Sequence, residues 1–152
     1  MIKKEITELT DLDNFTKKFI PLLQNNPLIY LRGDLGAGKT TFVQSLLKNS
    51  GYQDIVSSPT FSIVNNYVIK GLEIYHCDFY RLESENEIFN LAIEEFIGNT
   101  IVIIEWPNLF EKISDYEKIE IKISLNGKKR FVEIKSSNVC NLKLINKIYQ
   151  DI

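Results

Sequence analysis

One histidine, two cysteines and no long apolar run decide first what this 152-residue chain is not. Cys77 and Cys140 lie too far apart for metal-ligand spacing, and with His76 as the only imidazole the usual soft-ligand zinc cluster cannot be assembled. Both thiols are expected to be reduced and packed. The opening MIKKEITELTDLDN carries two lysines but turns acidic and lacks the apolar stretch of a secretory signal. The most apolar later run, Ile101 to Ile104, stops at Glu105. The expected setting is a bacterial-type cytoplasm, with no membrane association. Excess positive charge is missing too: 18 Lys and Arg against 20 Asp and Glu give a net charge of -2, which leaves no basic face able to hold nucleic acid by itself. Any RNA role is therefore expected to be indirect.

What is present is the composition of a packed protein. Hydrophobic residues at 44% and charged residues at 25% exclude disorder, collagen-like structure and low-complexity scaffolds. The length suits one domain over residues 1–152, with about two thirds of the unfolded surface buried. Leu12, Phe15, Phe19 and Leu22 recur at helical spacing after Thr10, which can cap the first turn, and Pro21 and Pro27 mark the exit. Leu28 to Arg32 reads as a short strand that runs directly into GDLGAGKTT. Phe42, Val43, Leu46 and Leu47 then describe one helix face ending near Gly51. The β-branched and aromatic stretch from Phe61 to Phe79 predicts a hairpin turning at Lys70-Gly71. Ile88, Leu91, Ala92 and Phe96 suit a helix, and Ile101 to Ile104 suits a strand covered on both faces. Ile119 to Leu125 and Phe131 to Lys135 flank Asn126-Gly127 as a second hairpin, before a closing helix through Leu142, Ile145 and Tyr149.

Gly33-Asp34-Leu35-Gly36-Ala37-Gly38-Lys39-Thr40 has the spacing G-x-x-x-x-G-K-[ST] and stands between a predicted strand and a predicted helix. Glycines allow positive φ and bring backbone N–H groups close around phosphate oxygens, while the following helix turns its positive end toward the same charge. Lys39 is then expected to reach the β and γ phosphates, Thr40 to offer a hydroxyl to Mg²⁺, and Thr41 to donate to the α phosphate. The expected architecture is α/β and P-loop NTPase-like, three layers with a central mixed β-sheet flanked by helices.

Such a site needs an acidic group at the end of a neighbouring buried strand, and Glu105 follows Ile101-Val102-Ile103-Ile104 in that place. Trp106-Pro107 after it reads as packing. In His76-Cys77-Asp78-Phe79-Tyr80-Arg81, strand alternation would present His76, Asp78 and Tyr80 on one face, where Asp78 could orient water or the magnesium shell. On the residues alone a satisfied polar strand edge explains the same pattern. Thr60, in Ser57-Ser58-Pro59-Thr60-Phe61, stands where nucleotide switches place a threonine that senses the γ phosphate, and it fits a plain proline turn equally well.

Four segments, GDLGAGKTT, SSPTF, HCDFYRL and EWP, occur in this order with short spacings. The set resembles the TsaE family, formerly called YjeE, over the stretch from Leu28 to about Phe110. The resemblance implies a P-loop ATPase that binds the TsaB and TsaD subunits and supports repeated threonylcarbamoyl transfer to adenosine 37 of transfer RNAs reading codons that begin with A. It implies that Thr40 and Glu105 carry Mg²⁺, that Leu35 to Thr40 wrap ATP, that Asp78 assists hydrolysis and that Thr60 belongs to the switch segment. Arg130 resembles the family's late arginine near the nucleotide. Where family members commonly read Leu-Gly-Ile-Glu-Glu, this chain has Leu91-Ala92-Ile93-Glu94-Glu95, which argues against a backbone demand for positive φ at that position.

Arginine scarcity separates the rivals. A kinase of this class closes a lid carrying several cations, yet Arg32, Arg81 and Arg130 are the only arginines and no lysine-rich lid stands between Glu105 and Ile119. A GTPase lacks its aspartate, since Asn146-Lys147-Ile148-Tyr149 stops short of Asn-Lys-x-Asp. A nucleotide-gated interaction module is the nonenzymatic rival. So few arginines also imply an ATPase that is weak alone and completed by a partner.

Overall fold

A strand covered on both faces needs a continuous apolar run. In the computed structural model, which describes residues 1–150, two such runs lie at the centre of a seven-stranded sheet. In chain order the strands are β1 (Ile2–Glu5), β2 (Leu28–Arg32), β3 (Val64–Ile69), β4 (Leu72–Asp78), β5 (Ile101–Glu105), β6 (Ile119–Asn126) and β7 (Lys129–Ser136). The helices are α1 (Leu9–Phe19), α2 (Lys39–Asn49), α3 (Glu85–Leu91), α4 (Asn108–Ile113) and α5 (Val139–Gln150). Sheet order is β1-β7-β6-β2-β5-β4-β3. The four middle strands β6, β2, β5 and β4 run parallel, and β1, β7 and β3 pair antiparallel at the flanks.

Two cores sandwich this sheet. On one face α1, α2 and α5 bury Phe15, Phe19, Phe42, Leu46 and Tyr149 against Ile29, Ile103, Ile121 and Val132. On the other, α3 and α4 bury Ile88 and Phe110 against Tyr30, Phe79, Val102 and Ile104. The α/β fold with a mixed sheet between helical layers is therefore present. Among the described residues no helix is long and apolar enough to cross a membrane.

Several local expectations give way to tertiary constraints. Thr10 does not cap α1; the helix begins at Leu9, and the Asp11 carboxylate accepts the Glu8 backbone N–H at 3.1 Å. Pro21 falls inside a 3₁₀ turn over Ile20–Asn25, where its missing N–H costs little. β1 and α4 have no counterpart among the sequence expectations, being short and lacking clear periodicity. Asn126 pairs with Lys129 as part of the ladder, so the second hairpin turns one residue later, at Gly127-Lys128. Cys77 is buried, whereas Cys140 is exposed on α5 instead of packed, and both are free thiols.

The helix expected through Phe96 stops at Leu91, because Ala92 adopts the left-handed conformation with φ of 53° and a short 3₁₀ turn comes after it. The reading that alanine removes a positive-φ demand is thus overturned: the demand is in the backbone, and alanine meets it under strain. Left-handed backbone costs a residue with Cβ about 1–2 kcal/mol, and the freer unfolded state of glycine offsets about 0.5–1 kcal/mol of the gain from relieving it. Ala92→Gly is expected to raise the thermal midpoint by about 2 °C. Unfolding followed by circular dichroism checks this, and an unchanged or lowered midpoint would count against strain at Ala92.

Candidate functional site

The parallel strands β2, β5 and β4 end at the same edge of the sheet, so the segments leaving them converge there. The glycine loop leaves β2 after Arg32, Glu105 closes β5, and Asp78 closes β4 directly beside Glu105 in register. Gly33, Gly36 and Gly38 all take positive φ, as a loop that curls its N–H groups inward requires. Gly38 caps α2 with φ of 110° and places Lys39 and Thr40 in the first helical turn. Leu35 is exposed at the loop tip and Ala37 is buried beneath it. Thr41 is next along α2, beside a groove of about 390 Å³ that it shares with Leu9, Thr10, Gln44 and Lys48.

Lys39 is buried, and its Nζ donates to the carbonyls of Gly33 at 2.7 Å and Asp34 at 3.0 Å. The same ammonium lies 4.3 Å from the centre of the Trp106 ring. Burial holds its pKa below the usual lysine value, against the opposing pull of Glu105, Asp78 and Asp34. Glu105 is only 2% exposed, and its carboxylate accepts the Thr40 hydroxyl at 3.1 Å. His76, fully buried, holds Nε2 at 3.6 Å from the same carboxylate. Asp78 accepts the Thr60 hydroxyl at 3.2 Å on Oδ2 and the Tyr80 backbone N–H at 2.9 Å on Oδ1. Thr60 in turn meets the Ser58 hydroxyl at 2.7 Å. From β7, the Arg130 side chain runs alongside Gly38, where an added Cβ would lie 3.6 Å from Nε.

The candidate residues thus form two connected groups. Lys39, Thr40 and Glu105 meet at the start of α2, while Thr60 and Asp78 meet at the end of β4, and Arg130 closes on the loop from the far side. Tyr80 does not join them. β4 ends at Asp78, so the alternation expected for His76, Asp78 and Tyr80 breaks, and Tyr80 turns outward against the Trp106 ring at 4.9 Å. His76 is no polar strand edge but a buried neighbour of Glu105, and Trp106 covers Lys39 instead of packing passively. Neither role had a sequence signal beyond adjacency to a carboxylate. Among the described residues no group of three or more His, Cys, Asp or Glu is placed to hold a metal ion.

A family model described as "Threonylcarbamoyl adenosine biosynthesis protein TsaE" matches residues 6–132. The chain belongs to the TsaE family. That match begins before and ends beyond the stretch from Leu28 to Phe110, taking in Arg130. Among curated relatives, a tRNA threonylcarbamoyladenosine biosynthesis protein TsaE of Rickettsia typhi is 36% identical over 127 residues, 82% of this chain and 88% of that one. The protein of the same name from Bacillus subtilis is 41% identical over 100 residues, 66% of this chain and 63% of that one. The crystal structure of Bacillus subtilis YdiB shares the fold with a TM-score of 0.81 at 24% identity, over 99% of this chain and 95% of that chain.

Loop geometry in this TsaE member also sets a stability test. A Cβ at Gly33 would lie 2.5 Å from the Ile123 carbonyl oxygen, a backbone atom held in β6. Gly33→Ala is expected to destabilise the fold by about 1–3 kcal/mol, the usual cost of overpacking. Urea unfolding measures it, and a native-like midpoint would show that the loop has room to move.

Proposed function

We propose that this chain is a Mg²⁺-dependent P-loop ATPase serving threonylcarbamoyladenosine formation in transfer RNA, weak alone and completed by TsaB and TsaD. The observation that carries this reading is the Thr40 hydroxyl meeting the buried Glu105 carboxylate at 3.1 Å immediately behind the glycine loop. Hydroxyl and carboxylate oxygens are the hard donors that Mg²⁺ takes, so Thr40 and Glu105 would hold the cation here. When bound, it would supply neutralisation of phosphate charge.

The protein's own part is positioning. Gly33 and the backbone from Leu35 to Thr40 wrap the phosphates of ATP, favoured by the positive end of α2. Lys39 adds a buried cation, Thr41 donates to the α phosphate, and Arg130 brings a guanidinium beside Gly38. Asp78 orients the attacking water. Both of its oxygens are occupied, and a Thr60 drawn toward the γ phosphate would free Oδ2 to accept the water's proton. Thr60 is thereby the switch and Asp78 the base.

What supports dependence on a partner is where the arginines are engaged. Arg32 is paired with Glu111 and Glu120, and Arg81 stacks on Phe61 at 4.4 Å. Of the three, Arg130 is the one whose side chain runs beside Gly38. An arginine supplied in trans contributes about 10³–10⁵ in rate to related reactions. Transfer RNA is met through the partners, in keeping with the net charge of -2.

Lys39→Ala and Glu105→Ala are each expected to lower ATP turnover by about 10²-fold or more with an unchanged circular dichroism spectrum. Hydrolysis persisting in either folded variant removes the role given to that residue. ATP should bind in preference to GTP on titration. TsaB and TsaD should raise turnover, and repeated rounds of transfer RNA modification should cease when this chain is left out; equal turnover with and without the partners would dismiss the dependence.

A further inference from the structure

The His76 imidazole is fully buried, and neither ring nitrogen has a hydrogen-bond partner among the described residues. A buried polar group in that condition costs stability and calls for an explanation. Its position supplies one. β4 and β5 run parallel with His76 beside Ile103 and Asp78 beside Glu105, so His76 lies one pleat below the two carboxylates, on the sheet face that α2 covers. Nε2 is 3.6 Å from Glu105 Oε2, and a shift of roughly 0.6 Å would bring it to the usual N–H···O separation. Thr40 approaches the same carboxylate at 3.1 Å to Oε1 and 3.4 Å to Oε2. Glu105 is therefore held between a hydroxyl at the start of α2 and an imidazole from β4.

We infer that His76 is a positioning residue for Glu105: it donates from Nε2 to Oε2, fixes the plane of the carboxylate and leaves Oε1 directed to the Thr40 side. Without that donor the carboxylate is free to turn about its terminal bond, and its oxygens face the cation site only part of the time. Outer-shell hydrogen bonds of this kind are worth about 10–100-fold in metal affinity. The inference rests on the Thr40 and Glu105 reading above, and it adds a residue that contacts neither nucleotide nor cation.

The test is equilibrium binding of adenylyl imidodiphosphate, a non-hydrolysable ATP analogue, across a Mg²⁺ titration and in EDTA. The native chain is compared with His76→Leu, His76→Gln and His76→Asn. Glutamine places its amide nitrogen where Nε2 lies, and asparagine places it near Nδ1, so only glutamine keeps the donor in reach. His76→Leu and His76→Asn should raise the half-saturating Mg²⁺ concentration by about tenfold or more. His76→Gln should stay close to the native value, and all four proteins should bind equally in EDTA. If His76→Leu does not fold, the glutamine and asparagine pair carries the comparison. An unchanged Mg²⁺ requirement in His76→Leu, or an equal rise in Gln and Asn, overturns the role of His76. A native chain whose nucleotide binding ignores Mg²⁺ overturns the underlying reading instead.

Discussion

A carboxylate that is 2% exposed has to be answered by polar groups brought to it, because water cannot do so. Glu105 is that carboxylate, and the middle of the molecule is arranged around satisfying it. Thr40 reaches it from α2, His76 stands beneath it on β4, and the Lys39 ammonium adds a favourable charge from the first turn of α2. Parallel strands make this convergence possible. Had β4 run antiparallel to β5, Asp78 would close at the opposite edge of the sheet, far from Glu105. The same parallel set delivers the glycine loop to that edge, so one topological choice gathers loop, carboxylates and Thr60.

Two of the strained backbone positions lie on connections that flank this edge. Ile63, a β-branched residue, has φ of 67°, and Trp106 has φ of 57°. Side chains of these shapes rarely adopt left-handed backbone, at a cost of about 1–3 kcal/mol each. Each conformation is fixed by its surroundings. The Ile63 N–H donates to the Pro59 carbonyl at 2.6 Å, and its carbonyl accepts from the Asp78 N–H at 2.9 Å, which ties the segment bearing Thr60 to the end of β4. Trp106 reverses the chain just after Glu105 and lays its ring against Lys39 and Tyr80. At these two positions the distorted backbone sets the course of the segments next to Asp78 and Glu105.

The features legible in the sequence are those with local causes. The apolar runs of β2 and β5 read as covered strands because burial on both faces demands unbroken hydrophobicity, and every residue of β5 is buried. Lys70-Gly71 reads as a hairpin because both residues must take positive φ, as they do. The glycine loop carries its own geometry in its spacing. Features set by distant partners are not legible. β1 exists because β7 offers it an edge, and Ala92 turns left-handed for reasons absent from its own chemistry. His76 meets Glu105 only because two strands are in parallel register, and no local pattern announces a pairing across the whole crossover that carries α3.

Arg130 illustrates how late such long-range terms are settled. Its backbone N–H donates to the Thr7 hydroxyl at 3.1 Å, 123 residues away in the chain, and its carbonyl accepts from the Ile6 N–H at 2.8 Å. The backbone that carries the guanidinium beside Gly38 is thus anchored jointly by the segment after β1 and by β7. During synthesis the loop and α2 emerge from the ribosome long before β7, and β1 must wait as an unpaired edge until its neighbour arrives. A nascent chain halted short of β7 therefore holds a glycine loop without the Arg130 side chain beside Gly38, and only the finished sheet brings the two together.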